Sequence, residues 1–208
     1  MTGRFITLEG GEGTGKSTQI KRLAAALEQR GVKVLATREP GGSPGAEQIR
    51  QLMVEGEPGR WDAITETLLA YAARADHVAR TIGPALLAGS WVISDRFNDS
   101  TFAYQGAGRG IEGQRIRDIA QASIRDFRPG LTLILDAPVD DALGRIASRD
   151  HAEDRFERFD RSFHERLRDH FQQLAKREPE RCVLIDSMAS IDGVARQIWC
   201  AVATRFKL

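Results

Sequence analysis

Short apolar runs alternate along the chain with longer stretches in which apolar residues recur every three or four positions. Residues 5–8, 32–36, 91–94, 131–135 and 182–185 are four or five residues long and nearly continuous in apolar character. Such runs predict strands covered on both faces. Between them lie helical patterns. Ile20, Leu23 and Leu27 recur at helical spacing after Lys16. Asp62 is placed to cap a long helix carrying Leu68, Leu69, Ala72, Val78, Ile82 and Leu86. Phe156, Phe159, Phe163, Leu167, Phe171 and Leu174 form a further apolar stripe.

Strands alternating with helices predict βαβ units and a parallel sheet, with ligands at the carboxyl ends of the strands. There is no internal repeat, and no linker divides the chain, so residues 1–208 read as one α/β domain. The segment Arg-Asp-His-Ala-Glu-Asp-Arg at 149–155 has no apolar side chain larger than alanine. It is expected to be an exposed, mobile excursion.

Gly10-Gly11-Glu12-Gly13-Thr14-Gly15-Lys16-Ser17 matches the phosphate-binding pattern G-x-x-x-x-G-K-[ST], between a predicted strand and a predicted helix. Glycines let the backbone curl so that several N–H groups face one phosphate. The helix N-terminus adds its positive end, Lys16 a cation that spans two phosphates, and Ser17 a hydroxyl for Mg²⁺. Thr18 follows as part of the same nucleotide-binding turn. The base-reading Asn-Lys-x-Asp of many GTPases is absent from the sequence.

Arginines follow the next two strands. Thr37-Arg38-Glu39-Pro40-Gly41-Gly42 follows one, Ser94-Asp95-Arg96-Phe97 follows another, and the long helix carries Arg74. The planar guanidinium suits bidentate phosphate contact, so Arg38, Arg74 and Arg96 are candidates for holding a second, acceptor phosphate. Asp95, at a strand end beside the phosphate loop, is placed to hold Mg²⁺.

Charge narrows the partners. Thirty Lys+Arg against 29 Asp+Glu give a net charge of +1, which argues against a nucleic-acid binder driven by bulk charge. Cys182 and Cys200 lack metal-site spacing and read as buried free thiols. The N-terminal residues lack a secretory apolar region and no run is long enough to span a membrane, so a cytoplasmic protein without a membrane partner is expected.

The phosphate loop with its acidic third residue, the Arg-Glu-Pro-Gly-Gly loop, and Asp95-Arg96-Phe97-Asn98-Asp99-Ser100-Thr101-Phe102-Ala103-Tyr104-Gln105-Gly106 together resemble bacterial thymidylate kinase. The resemblance covers essentially the whole chain. It implies a three-layer, doubly wound fold of the nucleoside-monophosphate-kinase type around a five-stranded parallel sheet. It implies a homodimer that transfers the γ-phosphoryl of ATP, with Mg²⁺, to dTMP in dTTP biosynthesis. By the same resemblance Arg38, Pro40, Arg74 and Arg96 hold the acceptor, and Glu12 lies near its sugar. Thr101 and Gln105 meet the thymine edge, and Tyr104 crowds the sugar 2′ position. The family usually stacks a phenylalanine on thymine four residues before the helix arginine, where this chain has Ala70 followed by Tyr71. Where other members carry an arginine in the phosphate loop, this chain has Gly13. The stabilising arginine is then expected from a lid at about 149–156, with Arg155 the first candidate and Arg149 the second. Two other readings stay open on the residues alone: a kinase for another nucleoside monophosphate or nucleoside, and a non-enzymatic nucleotide switch.

Overall fold

The computed structural model describes residues 3–147 and 155–208. Its five strands are β1 (Phe5–Glu9), β2 (Val34–Arg38), β3 (Trp91–Asp95), β4 (Leu131–Asp136) and β5 (Cys182–Asp186). They form one parallel sheet in the order β2-β3-β1-β4-β5. Every run predicted from apolar character is a strand, although β2 begins two residues later than the sequence suggests. The strand bearing the phosphate loop is therefore central, with β3 on one side and β4 on the other.

The helices are α1 (Lys16–Glu28), α2 (Pro44–Val54), α3 (Ala63–His77), α4 (Gly83–Leu87), α5 (Asn98–Thr101), α6 (Gly113–Ile124), α7 (Val139–Ala147), α8 (Arg161–Arg177) and α9 (Ile191–Phe206). Two π-helical stretches, Val78–Ile82 and Phe102–Gly108, join α3 to α4 and continue α5. Alternation along the strands assigns their side chains to two layers. Ile6, Leu8, Leu131, Leu133 and Leu135 pack against Ile20, Leu23 and Leu27 of α1 and Val194, Ile198 and Val202 of α9. On the opposite face Phe5 and Val92 meet Tyr71, Phe97 and Ile116. Ile134 meets Tyr104 and the α8 residues Phe163, Leu167 and Phe171 on that same face. Both faces are covered, which is why the strands read as continuous apolar runs.

Three expectations are corrected. The helix starting at Asp62 does have that cap, with Oδ1 accepting from the backbone N–H of Ile64 at 2.9 Å and Thr65 at 3.0 Å. Of the expected apolar set Ile82 is buried and Leu69, Val78 and Leu86 pack against the core, but Leu68 and Ala72 are exposed. Glu66, Thr67, Ala70, Tyr71, Arg74 and His77 are turned inward instead. The helix directs polar groups at the carboxyl ends of the strands and shows Leu68 to the outside. The phenylalanine stripe is also not one helix. Phe156 and Phe159 precede α8, which starts after Asp160, whose carboxylate accepts from the Phe163 N–H at 2.7 Å. Finally, Cys182 is buried as expected, but Cys200 is exposed because it lies on the outward face of α9. Burial pushes the Cys182 thiol up to about 12.

Phe171 is 2% exposed at the centre of the α8 layer. Phe171→Ala is expected to cost about 3–5 kcal/mol of stability through lost burial and a residual cavity. The denaturant midpoint measures this, and a change below about 1 kcal/mol would contradict the assigned packing.

Candidate active site

A cavity of about 810 Å³ opens at the carboxyl ends of β1, β2 and β3. Residues 12–18 of the phosphate loop line one part. Arg38, Pro40, Ala70, Arg74, Arg96, Thr101, Tyr104 and Gln105 line another, and Asp95 joins both. Every expected site residue among the described ones lines this cavity, apart from Gly10 and Gly11, which underlie the loop, and Arg155.

The loop is held by glycine at positions that exclude other residues. Gly13 has a φ of +70°, and a Cβ there would come within 2.0 Å of the Ala142 carbonyl oxygen. Lys16 is folded back onto the loop, its Nζ donating to the Gly11 carbonyl at 2.6 Å and the Gly10 carbonyl at 3.3 Å. Burial and the neighbouring Arg96 cation lower its ammonium to about 8, against the pull of Glu12, Asp95 and Glu9. The Ser17 hydroxyl donates to Asp95 Oδ2 at 2.8 Å. Two adjacent hard oxygens at the start of α1 and the end of β3 fit the chemistry of Mg²⁺, which takes few protein ligands and keeps its waters.

Arg96 is a central element of the site. It is a non-glycine residue with φ +70°. β1 supports that conformation: the Leu8 carbonyl accepts the Arg96 N–H at 2.9 Å, and Glu9 Oε1 accepts the Phe97 N–H at 2.8 Å. Glu9 Oε2 also accepts from the Ser100 hydroxyl. Burial and the Asp99 carboxylate raise Glu9 to about 8. The guanidinium of Arg96 donates to the Gly10 carbonyl at 2.8 Å, to Ser100 Oγ at 3.2 Å and to Glu12 Oε1 at 2.8 Å. A guanidinium has five N–H groups, so two remain for a ligand. Glu12 also accepts from the Tyr104 hydroxyl at 2.7 Å. Burial alone would raise Glu12, but Arg96, Lys16 and Tyr104 outweigh it and hold the carboxyl at about 2.

Arg74 is 3% exposed and largely engaged by the protein. Its Nε donates to Glu39 at 2.7 Å, its Nη1 to Thr101 at 3.1 Å and Asn98 at 3.4 Å, and its Nη2 to the Phe97 carbonyl at 3.0 Å. One N–H remains. Glu39 in turn holds His77 Nδ1 at 3.0 Å. Arg38 is looser, its Nη2 donating to Glu47 at 3.0 Å from a half-exposed position.

The arginine expected from the lid is corrected. Arg155 is fully buried away from the phosphate loop. Its Nε donates to the Met53 carbonyl at 2.7 Å, its Nη1 to the Pro58 carbonyl at 3.1 Å, and its Nη2 to Glu66. A buried guanidinium needs a counter-charge, and Glu66 supplies it; neither residue lines the cavity. From the same segment Phe156, Glu157 and Arg158 line the cavity. Arg158 pairs with Glu57 at 3.3 Å and with the Gly56 carbonyl. Arg149 lies outside the described residues. Phe156 belongs to the same apolar cluster as Ala70 and stands edge-on to Tyr104 at 5.5 Å. It thereby brings an aromatic ring to the region where Ala70 leaves space.

Glu9, Glu39, Glu66, Asn98 and Ser100 are the site residues that sequence reasoning missed. The available signals were a carboxylate ending an apolar strand, another inside the Arg-Glu-Pro-Gly-Gly loop, and a third four residues before Ala70 on a buried helix face.

A family model described as thymidylate kinase matches residues 8–198. A thymidylate kinase of Rhizorhabdus wittichii is 52% identical over 204 residues, covering 98% of each chain. One of a Bradyrhizobium species is 53% identical over 205 residues, covering 98% of this chain and 91% of that one. A crystal structure of thymidylate kinase from Ehrlichia chaffeensis superposes with a TM-score of 0.78 at 34% identity, over 97% of this chain and 99% of that chain.

The lowered Lys16 ammonium sets a pH limit. Nucleotide binding needs the charged form, so affinity for a nucleoside triphosphate should fall about tenfold per pH unit above about pH 8. A titration of binding from pH 7 to 9.5 checks this. Constant affinity across that range would contradict the burial of the ammonium.

Proposed function

The chain belongs to the thymidylate kinase family, and from that premise we infer that it phosphorylates dTMP to dTDP with ATP, a step in dTTP synthesis. The observation that carries the reading is one cavity with a phosphate loop at one end and the Arg74–Arg96 pair at the other. Nothing favours a switch or a different monophosphate kinase over it.

The acceptor is already an anion, so in-line transfer requires no strong general base; positioning and charge neutralisation carry the catalysis. The loop N–H groups and the α1 N-terminus hold the β- and γ-phosphates of ATP. Lys16 exchanges its loop carbonyls for phosphate oxygens. Arg96, with two N–H groups not engaged by any described residue, faces the acceptor phosphate, joined by Arg74 and by Arg38 at the rim. Arg96 bridges Gly10 and Glu12, so the acceptor grip is fixed in register with the donor loop. Glu12 with Tyr104 walls the sugar. Thr101 and Gln105 line the base end, and Phe156 supplies the aromatic wall that Ala70 does not. Ser17 and Asp95 would hold Mg²⁺, which neutralises phosphate charge when bound. Lys16 and Arg96 provide fixed positive charge to the transferring group, and Arg158 is the cation of the 155–158 segment that lines the cavity. We read residues 1–208 as one kinase domain acting as a homodimer in the cytoplasm.

ADP release with ATP–Mg²⁺ and a panel of dTMP, dUMP, UMP, CMP, AMP and thymidine is expected to be fastest with dTMP. A different best acceptor would overturn the substrate assignment. Lys16→Ala is expected to lower turnover by at least ~100-fold, the scale of losing one preorganised electrostatic contact. Near-wild-type turnover of the folded variant would remove Lys16 from the mechanism.

A further inference from the structure

Glu66, in the first turn of α3, is fully buried and lies on the helix stripe that continues through Ala70 and Arg74 at four-residue steps. It accepts three hydrogen bonds. Arg155 Nη2 and Arg109 Nη1, the latter at 2.9 Å, both donate to Oε2. Gln105 Nε2 donates to Oε1 at 2.9 Å. A carboxylate already facing two guanidiniums has lone pairs to offer and needs a donor from Gln105. The amide therefore has to present its NH₂ to Glu66. Gln105 is itself only 3% exposed and lines the cavity, and its Oε1 accepts from no described residue.

We propose that Glu66 is a specificity-determining positioning residue, which locks the Gln105 amide so that its carbonyl, not its NH₂, faces the acceptor's base. The proposal rests on the dTMP reading given above. The base of dTMP has a single N–H, at N3, because N1 carries the sugar. An acceptor aimed at that base can pair only with N3–H. In the same register cytosine offers an N3 lone pair, and two acceptors then face each other in a buried site. Such a mismatch leaves buried polar groups unpaired and is worth roughly 5- to 150-fold in discrimination. Arg155 and Arg109 act one step further out, by keeping Glu66 an acceptor.

The test is the ratio of kcat/KM for dTMP to that for dCMP in three proteins: wild type, Glu66→Gln, and the exchange pair Glu66→Gln with Gln105→Glu. In Glu66→Gln the single carbonyl goes to the arginines, leaving an NH₂ toward Gln105. Gln105 must then turn its own NH₂ to the base. The ratio is expected to fall at least tenfold, mostly through dTMP, with the KM for ATP unchanged. In the exchange pair the carboxylate introduced at position 105 accepts from the amide introduced at position 66 and still offers an oxygen to N3–H. The ratio should then return to within about threefold of wild type. A merely structural role for Glu66 would lower both activities alike. An unchanged ratio in Glu66→Gln, or an exchange pair no better than the single variant, overturns the proposal. If Glu66→Gln alone does not fold, as a thermal melt would show, the exchange pair decides: a ratio shifted more than tenfold toward dCMP refutes it. A wild-type protein inactive on dTMP would instead refute the function on which the proposal rests.

Discussion

The guanidinium of Arg96 joins the two halves of the site. It bridges the carbonyl of Gly10, the first residue of the phosphate loop, and the carboxylate of Glu12. It therefore ties the end of β3 to the phosphate loop in one fixed spacing. That reach depends on a backbone conformation that non-glycine residues seldom adopt. The conformation persists because β1 over-determines it through the Leu8 carbonyl and both oxygens of Glu9. The central position of β1 in the sheet is what places those acceptors beside the end of β3.

Around that link the cavity carries charge of both signs under substantial burial. Arg74 with Glu39, Arg96 with Glu12, and Arg155 with Glu66 are ion pairs with little solvent exposure. Pairs of this kind contribute modest net stability, because desolvation offsets much of their attraction. Their value here lies in orientation. Each arginine is held by several acceptors in one pose, and Arg74 and Arg96 hold theirs on the wall of the cavity. Catalysis by preorganised charge needs such rigidity before the substrate arrives.

The frame and the phosphate loop were legible in the sequence because they rest on local rules. Apolar runs marked the strands, and the spacing of Gly10, Gly15, Lys16 and Ser17 marked the loop. Arg38, Arg74 and Arg96 stood out because each follows a strand or rides the long inward helix. Glu12 was legible, but the other carboxylates that brace the site, Glu9, Glu39 and Glu66, were not. Glu9 and Glu66 have meaning only through partners 88 and 39 residues away, Phe97 and Gln105. Arg155 was misplaced for the same reason: its position in the sequence suggested a role at the phosphates, while a counter-charge on a distant helix fixes it elsewhere. Leu68 of α3 misled in the opposite way, since the helix turns a polar stripe inward beside Leu69.

The π-helical stretch Phe102–Gly108, which carries Tyr104 and Gln105, accommodates more residues per turn than the α-helix it continues. Its wider turn sets which of its side chains look inward. Loss of one residue there would restore ordinary α-helical winding and re-aim the side chains within the turn, Tyr104 and Gln105 among them, while those beyond it kept nearly their facing. The chemistry read at the base end is thus written partly in segment length. A single-codon change of length there would be felt at both ends of the cavity, because Tyr104 also donates to Glu12 of the phosphate loop.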